Sequence, residues 1–166
     1  VRQSSTVRGL VYATSDKCYQ NQERPRPYRE QDALGGSDPY AASKACAELV
    51  FSSYCQSFFP PERLASHGKA VASVRAGNVI GGGDWSQDRI VPDCVRALSA
   101  NRPIELRNPT AVRPWQHVLE CLSGYLWLGA QLWASPARYS GEAWNFGPDE
   151  AARSVQELTE CFLASR

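Results

Sequence analysis

Methionine is missing from all 166 residues, and position 1 is Val. A primary translation product starts with Met, so the chain is expected to be a piece of a longer one. No run approaches about 18 consecutive apolar residues, which excludes a membrane-spanning helix by hydropathy. The opening Val1-Arg2-Gln3-Ser4-Ser5 lacks the apolar core of a signal peptide. Charge of one sign is not in excess: 18 Lys and Arg stand against 17 Asp and Glu. That balance excludes a protein held to nucleic acid or to a membrane by bulk charge. The six cysteines (Cys18, Cys46, Cys55, Cys94, Cys121 and Cys161) form no C-x-x-C pair, so no zinc knuckle, thioredoxin-like centre or other metal site is expected. The chain is too long and too rich in core residues to need disulfides, so reduced thiols in a cytoplasmic protein are expected, several of them at core positions. The two histidines, His67 and His117, have no evident partners and read as structural. No Gly-x-Gly-x-x-Gly occurs; Gly81-Gly82-Gly83 lacks that spacing.

What is present is an alternation of strand-like and helix-like segments. Gly9–Thr14 is a short apolar, β-prone run that ends in the polar Ser15-Asp16-Lys17. Residues 20–38 are polar and rich in Pro, Gly and Arg, and read as a loop. Asp38-Pro39 opens a helix, as an N-cap followed by a proline tolerated at the first helical position, and Pro60-Pro61 must end it. Ala70–Arg75 reads as a strand, Arg89–Ala100 as a short helix and Ile104–Leu106 as a brief strand. Val118–Trp133 reads as an amphipathic helix whose apolar positions include Leu119, Leu122, Leu126 and Leu132; a short strand at Ala143–Phe146 follows. Ser154-Val155-Gln156-Glu157 has the form of a capping box, and the chain ends at Arg166 in or just after that last helix, with no stop signal. This order predicts an α/β protein with a mostly parallel sheet.

Two groups of residues carry possible chemistry. Tyr40 and Lys44 are spaced i, i+4 on one helix face, and a cation beside a phenol favours the phenolate needed to accept a proton. Such a pair also occurs by chance on solvated surfaces. Ser15, Asp16 and Lys17 stand at the carboxyl end of a strand, where open α/β sheets place their sites; the alternative is an ordinary polar exit from the strand.

Together, and in this order, they bring a family into view. Thr14 to Tyr19, Asp38 to Lys44, Ser73 to Trp85, Arg113 to Val118 and Trp144 to Pro148 run in family order over nearly the whole chain. As a set they resemble the extended short-chain dehydrogenase/reductase family and, within it, the nucleotide-sugar 4,6-dehydratases. The Ser-Asp-Lys triplet matches the branch that acts on CDP-glucose; dTDP-glucose relatives carry Thr-Asp-Glu there. The resemblance implies the C-terminal part of a Rossmann-like doubly wound sheet plus a small substrate-binding subdomain. Residues 1–80 would be the catalytic second half of the Rossmann-like domain. Residues 81–166 would mostly bind substrate, with 104–133 and 143–146 partly returning to the main sheet.

It also implies a lyase that uses NAD: oxidation at C4, loss of water across C5 and C6, and hydride return to C6. Carried over, Tyr40 would deprotonate the C4 hydroxyl, and Lys44 would support it and hold the nicotinamide ribose. Ser15 would hydrogen-bond the C4 oxygen, and Asp16 would protonate the departing C6 hydroxyl. Lys17 stands where relatives have a Glu that removes the C5 proton. It acts there as a base only if its amine is kept neutral, as a cation stabilising the enolate otherwise, or merely as a salt bridge to Asp16. Asn78, Arg89 and Arg113 fall where the family holds the substrate and its diphosphate; for the two arginines the other reading is surface solubility. Trp85 and Trp115 either stack on a base or fill the core, the core being the commoner fate. A homodimer through helices that include the Tyr40 helix is implied. The glycine-rich NAD turn of the family is not in these residues, so the chain alone is expected to hold NAD poorly, turn over little and be marginally stable. Two other readings are a related epimerase or a dehydratase for another nucleotide, and a non-catalytic binding module or remnant.

Overall fold

The computed structural model describes residues 1–24, 26–149 and 152–164. Arg166, where a helix end without a stop signal is expected, lies outside them. The chain divides into two compact units: Val1–Gly77 with Cys121–Phe146, and Asn78–Glu120 with Gly147–Arg166.

The first unit is built on three parallel strands in the order β1 (Gly9–Ala13), β2 (Ala70–Ala76), β6 (Ala143–Phe146). Between β1 and β2 run a 3-10 turn (Asp16–Cys18), the helix α1 (Pro39–Phe58) and a one-turn helix α2 (Leu64–His67). The expected cap of α1 is present: the Asp38 carboxylate accepts from the Ala41 amide at 3.0 Å and Pro39 follows it. α2 ends at Gly68, whose φ of 61° is the left-handed conformation that glycine adopts without a Cβ clash.

β2 is buried on both faces, as parallel strands are. Ala70, Ala72 and Val74 pack with Leu128 and Leu132 of α4 (Val118–Ala134) and with Tyr139 of the short α5 (Pro136–Tyr139). On the other face Val71 meets Cys55 and Phe59 of the α1 end. Burying a leucine such as Leu128, which is fully inaccessible, contributes about 2–3 kcal/mol. The residues of β2 that share the face of Val71 are Ser73 and Arg75, and both are also buried.

The α4 stripe differs from expectation. Leu119, Leu122 and Leu126 are exposed, Leu126 at 76%, while Cys121, Leu128 and Leu132 are buried. The helix is apolar around most of its circumference, so its leucines do not by themselves mark the inward side.

In the second unit β3 (Val79–Ile80) pairs parallel with β5 (Gln116–His117), and β4 (Val112–Arg113) pairs antiparallel with β7 (Arg153–Ser154). α3 (Ile90–Ser99) packs with α6 (Val155–Ala164). The capping box forms: Glu157 accepts from the Ser154 amide at 2.6 Å, and the Ser154 hydroxyl accepts from the Glu157 amide at 3.1 Å. Ile104–Leu106, expected as a strand returning to the main sheet, is irregular instead. Pro103 removes a backbone donor beside it, and Ile104 and Leu106 line an open cleft of about 500 Å³ with Leu98 and Leu163.

Candidate active site

The carboxyl end of β1 delivers Ser15, Asp16 and Lys17 to the start of the 3-10 turn. Ser15 caps that turn: its hydroxyl accepts from the Lys17 amide at 3.2 Å and donates to Asp16 Oδ1 at 3.2 Å. Lys17 Nζ donates to Asp16 Oδ2 at 2.8 Å, so hydroxyl, carboxylate and amine form one chain of contacts. The salt-bridge arrangement expected among the readings of Lys17 is therefore present, and both partners are partly exposed. Asp16 lies directly over the backbone of Gly77, where any Cβ would collide with its carboxylate. Gly77 lies within the Ser73 to Trp85 block of the sequence, which gave it no role of its own.

α1 packs on the 3-10 turn and presents Tyr40, Lys44 and Glu48 at i, i+4 and i+8. Tyr40 is 56% exposed, and Lys44 Nζ lies 5.5 Å from its ring centroid. Glu48, by contrast, is buried and ion-paired with Arg75 at 2.7 Å. Thr14 also donates to Glu48, and Ser73 Oγ does so at 2.9 Å. Arg75 Nη1 donates to the Tyr19 hydroxyl at 2.8 Å and to the Glu30 carbonyl at 3.0 Å; Tyr19 donates in turn to Asn145 Oδ1 at 2.7 Å. Burial opposes the charge on Glu48, but the bonds from Arg75, Thr14 and Ser73 outweigh it and hold the carboxyl below its usual range. Arg75 is held above its already high value by Glu48 and Tyr19 against the same burial. Thr14, Tyr19 and Arg75 fall inside the motif blocks of the sequence but were given no role there, and Glu48 was not singled out. The available signal was the pair of polar residues in an otherwise apolar buried strand, Ser73 and Arg75.

Asn78, Arg89 and Arg113 belong to the second unit. Asn78 has φ 46°, and its side-chain oxygen is buried without a hydrogen-bond partner among the described residues. Arg89 is exposed, with Nε 3.9 Å from the Asp84 carboxylate. Arg113 is half-buried on β4 and donates to the Val112 carbonyl at 2.9 Å. Trp85 is 62% exposed in the glycine-rich loop, so the core reading does not hold for it; the glycines before it and the polar residues after it supply no apolar side chain next to it in sequence. Trp115 is half-buried and donates to the Arg153 carbonyl. Both nitrogens of His67 are engaged, with the Pro60 carbonyl and the Lys69 amide, and His117 accepts from the Leu119 amide.

The model of the NAD dependent epimerase/dehydratase family matches residues 1–147. The chain belongs to this family. Among members of the epimerase/dehydratase family it is 50% identical over 161 residues to a CDP-glucose 4,6-dehydratase of Salmonella typhimurium (strain LT2), covering 96% of this chain and 45% of that protein. Its fold matches the dTDP-glucose 4,6-dehydratase of Bacillus anthracis, solved in complex with NAD: TM-score 0.75, 20% identity, 94% of this chain and 45% of that one. It also matches the UDP-glucuronic acid 4-epimerase of Bacillus cereus, solved with UDP-glucuronic acid and NAD: TM-score 0.74, 16% identity, 94% and 46%. The chain thus spans less than half the length of the relatives it matches.

The residues present suit one end of a dinucleotide. Tyr40 and Lys44 offer a hydroxyl and an ammonium on one accessible helix face, a donor set for a ribose diol. For the pyrophosphate these residues hold no glycine-rich turn of the required spacing. Among the described residues no group of three or more His, Cys, Asp or Glu stands ready for a metal, and no helix is long and apolar enough to cross a membrane.

Proposed function

We propose that the chain is the catalytic half of a cytoplasmic nucleotide-sugar 4,6-dehydratase that converts CDP-glucose to CDP-4-keto-6-deoxyglucose. The observation that carries this reading is the Asp16–Lys17 pair beside Ser15, at the end of β1 and against the helix bearing Tyr40 and Lys44. Elimination of water across C5 and C6 needs a proton donor for the leaving hydroxyl and a group to manage the C5 proton. An epimerase needs neither, which is why the pair favours a dehydratase over that alternative. The relative at 50% identity supports CDP as the nucleotide.

In this reading NAD, when bound, supplies the acceptor for the C4 hydride and the donor that returns it to C6. Tyr40 takes the proton of the C4 hydroxyl, while Lys44 holds the ribose diol and keeps a positive charge beside the phenol. Ser15 hydrogen-bonds the C4 oxygen, and Asp16 delivers a proton to the C6 hydroxyl as it leaves. Lys17 shares a proton with Asp16 across their hydrogen bond: with that proton on the carboxyl, its neutral amine takes the C5 proton, and as a cation it instead stabilises the enolate while the C5 proton passes to solvent. Residues 1–80 do this chemistry, and 81–166 mostly hold substrate. The buried oxygen of Asn78, without a partner among the described residues, is an acceptor suited to a sugar hydroxyl, and Arg89 and Arg113 suit a diphosphate. Exposed Leu49, Val50 and Tyr54 on α1 are the surface for pairing with a second copy.

The test supplies NAD with CDP-, UDP- or dTDP-glucose to the chain alone and to the chain joined to the part of the Salmonella relative that it does not cover. The joined protein should release a 4-keto-6-deoxy sugar nucleotide from CDP-glucose first, and Asp16→Asn should slow it by about 100-fold or more. The chain alone should turn over little or nothing. A 4-epimer as product, or no selectivity for CDP, sinks the assignment.

A further inference from the structure

The two halves of the candidate site are tied to each other by buried groups that do no chemistry themselves. Ser15, Asp16 and Lys17 sit on a 3-10 turn whose flanking residues are Thr14 on one side and Tyr19 on the other. Thr14 donates to the carboxylate of Glu48, and Tyr19 accepts from the guanidinium of Arg75 at 2.8 Å. Glu48 and Arg75 are themselves paired at 2.7 Å and are 2% and 5% exposed. Both ends of the turn are therefore held by one buried ion pair. The same carboxylate stands on α1 one helical turn beyond Lys44 and two beyond Tyr40, on their side of the helix.

We propose that Glu48 and Arg75 are positioning residues: a clamp that fixes the Ser15-Asp16-Lys17 turn and the Tyr40–Lys44 helix face in one frame. This rests on the functional reading above for what the frame is used for. Its geometry stands apart from that reading. A floating turn would leave acid, amine and phenol each free to drift, and misplacement of reacting groups by about 1 Å can cost 100-fold in rate. An ion pair so thoroughly desolvated is weak evidence for stability, because apolar groups of like volume commonly serve as well. Its value lies in orientation: the carboxylate takes Arg75, Ser73 and Thr14 at once, and the guanidinium spans Glu48, Tyr19 and the Glu30 carbonyl.

Removing either charge risks unfolding, so the test uses the two hydroxyls at the ends of the turn. Thr14→Val and Tyr19→Phe each delete one contact to the clamp and keep the volume. Amide hydrogen exchange is measured on the joined protein of the preceding section, segment by segment. Exchange of the Ser15–Cys18 segment should rise about tenfold or more in both variants while β2 keeps its protection, and Thr14→Ser should restore it. Unchanged exchange in that segment, or a rise shared equally by β2 and β6, overturns the clamp. In the joined protein of the preceding section, the same variants should lower kcat about tenfold with KM within about twofold. Equal effects on kcat and on thermal stability without that split would assign them a structural role only. If the wild type turns over no sugar nucleotide, the functional reading fails and the exchange result still decides the clamp.

Discussion

Gly77 follows β2 with no side chain, and Asp16 occupies the space that one would fill. Adding a methyl there forces the carboxylate away from Ser15 and Lys17 or bends the strand end. Gly77→Ala should therefore cost about 1–3 kcal/mol in a urea melt, and more in activity than its stability loss explains. The cysteines make a second case. Burial raises the Cys18 thiol to about 11, despite the nearby Arg75 that favours its thiolate, and raises Cys55 to about 11 as well. Cys94 and Cys121 are buried too, whereas Cys46 and Cys161 are exposed. Alkylation of the native chain near neutral pH should label Cys46 and Cys161 first, with the other four reacting only on unfolding; mass spectrometry of the labelled peptides checks this. That several cysteines fill the core was readable from residue type alone. That Gly77 floors the site was not, because a glycine after a strand looks the same whether its missing Cβ serves a turn or a neighbour.

α1 was legible to the residue: Asp38 and Pro39 start it, and paired prolines stop it, each by local chemistry. α4 was legible as a helix but not by its inward face, since Leu126 and Leu128 look alike until a sheet chooses between them. β2 shows why the clamp escaped sequence reading. Its Ser73 and Arg75 alternate with apolar residues in a pattern that suits a solvent-facing edge, and only the helix laid over them makes them interior. On the acid side two carboxylates matter, Glu48 on α1 and Asp32 in the loop before it. Glu48 is held below the usual value of 4.5 for a glutamate, and Asp32 is held at about 2 by the Arg29 amide, then by Arg26 and Arg24. Groups with depressed values contribute stability above the unfolded value and lose it as pH falls through the folded one. Stability should thus decline as the pH drops from about 4.5 toward 2. Asp32→Asn, which does not titrate and lies outside the clamp, should flatten part of that slope in urea melts at stepped pH.

On the scale of the molecule, an α/β class with a parallel sheet was readable from the alternation of strand and helix signals, and the doubly wound layering follows from β2 being covered on both faces. The small strands of the second unit were not readable: β3, β4, β5 and β7 are two residues each, too short to carry a period. Of the candidate site, the Ser15-Asp16-Lys17 and Tyr40–Lys44 groups were legible because their spacing is local. Whatever depends on partners far along the chain was not. The same remoteness governs how the sheet is born. Gly9 pairs with Ala70 and Ser73 with Ala143, so each neighbour of the central strand arrives from roughly sixty to seventy residues away. Nothing local can nucleate such a sheet; the ordering entropy of long loops is spent before any ladder bond forms. Folding of this unit should take on the order of milliseconds to seconds rather than microseconds, with α1 able to form before the strands it covers have met.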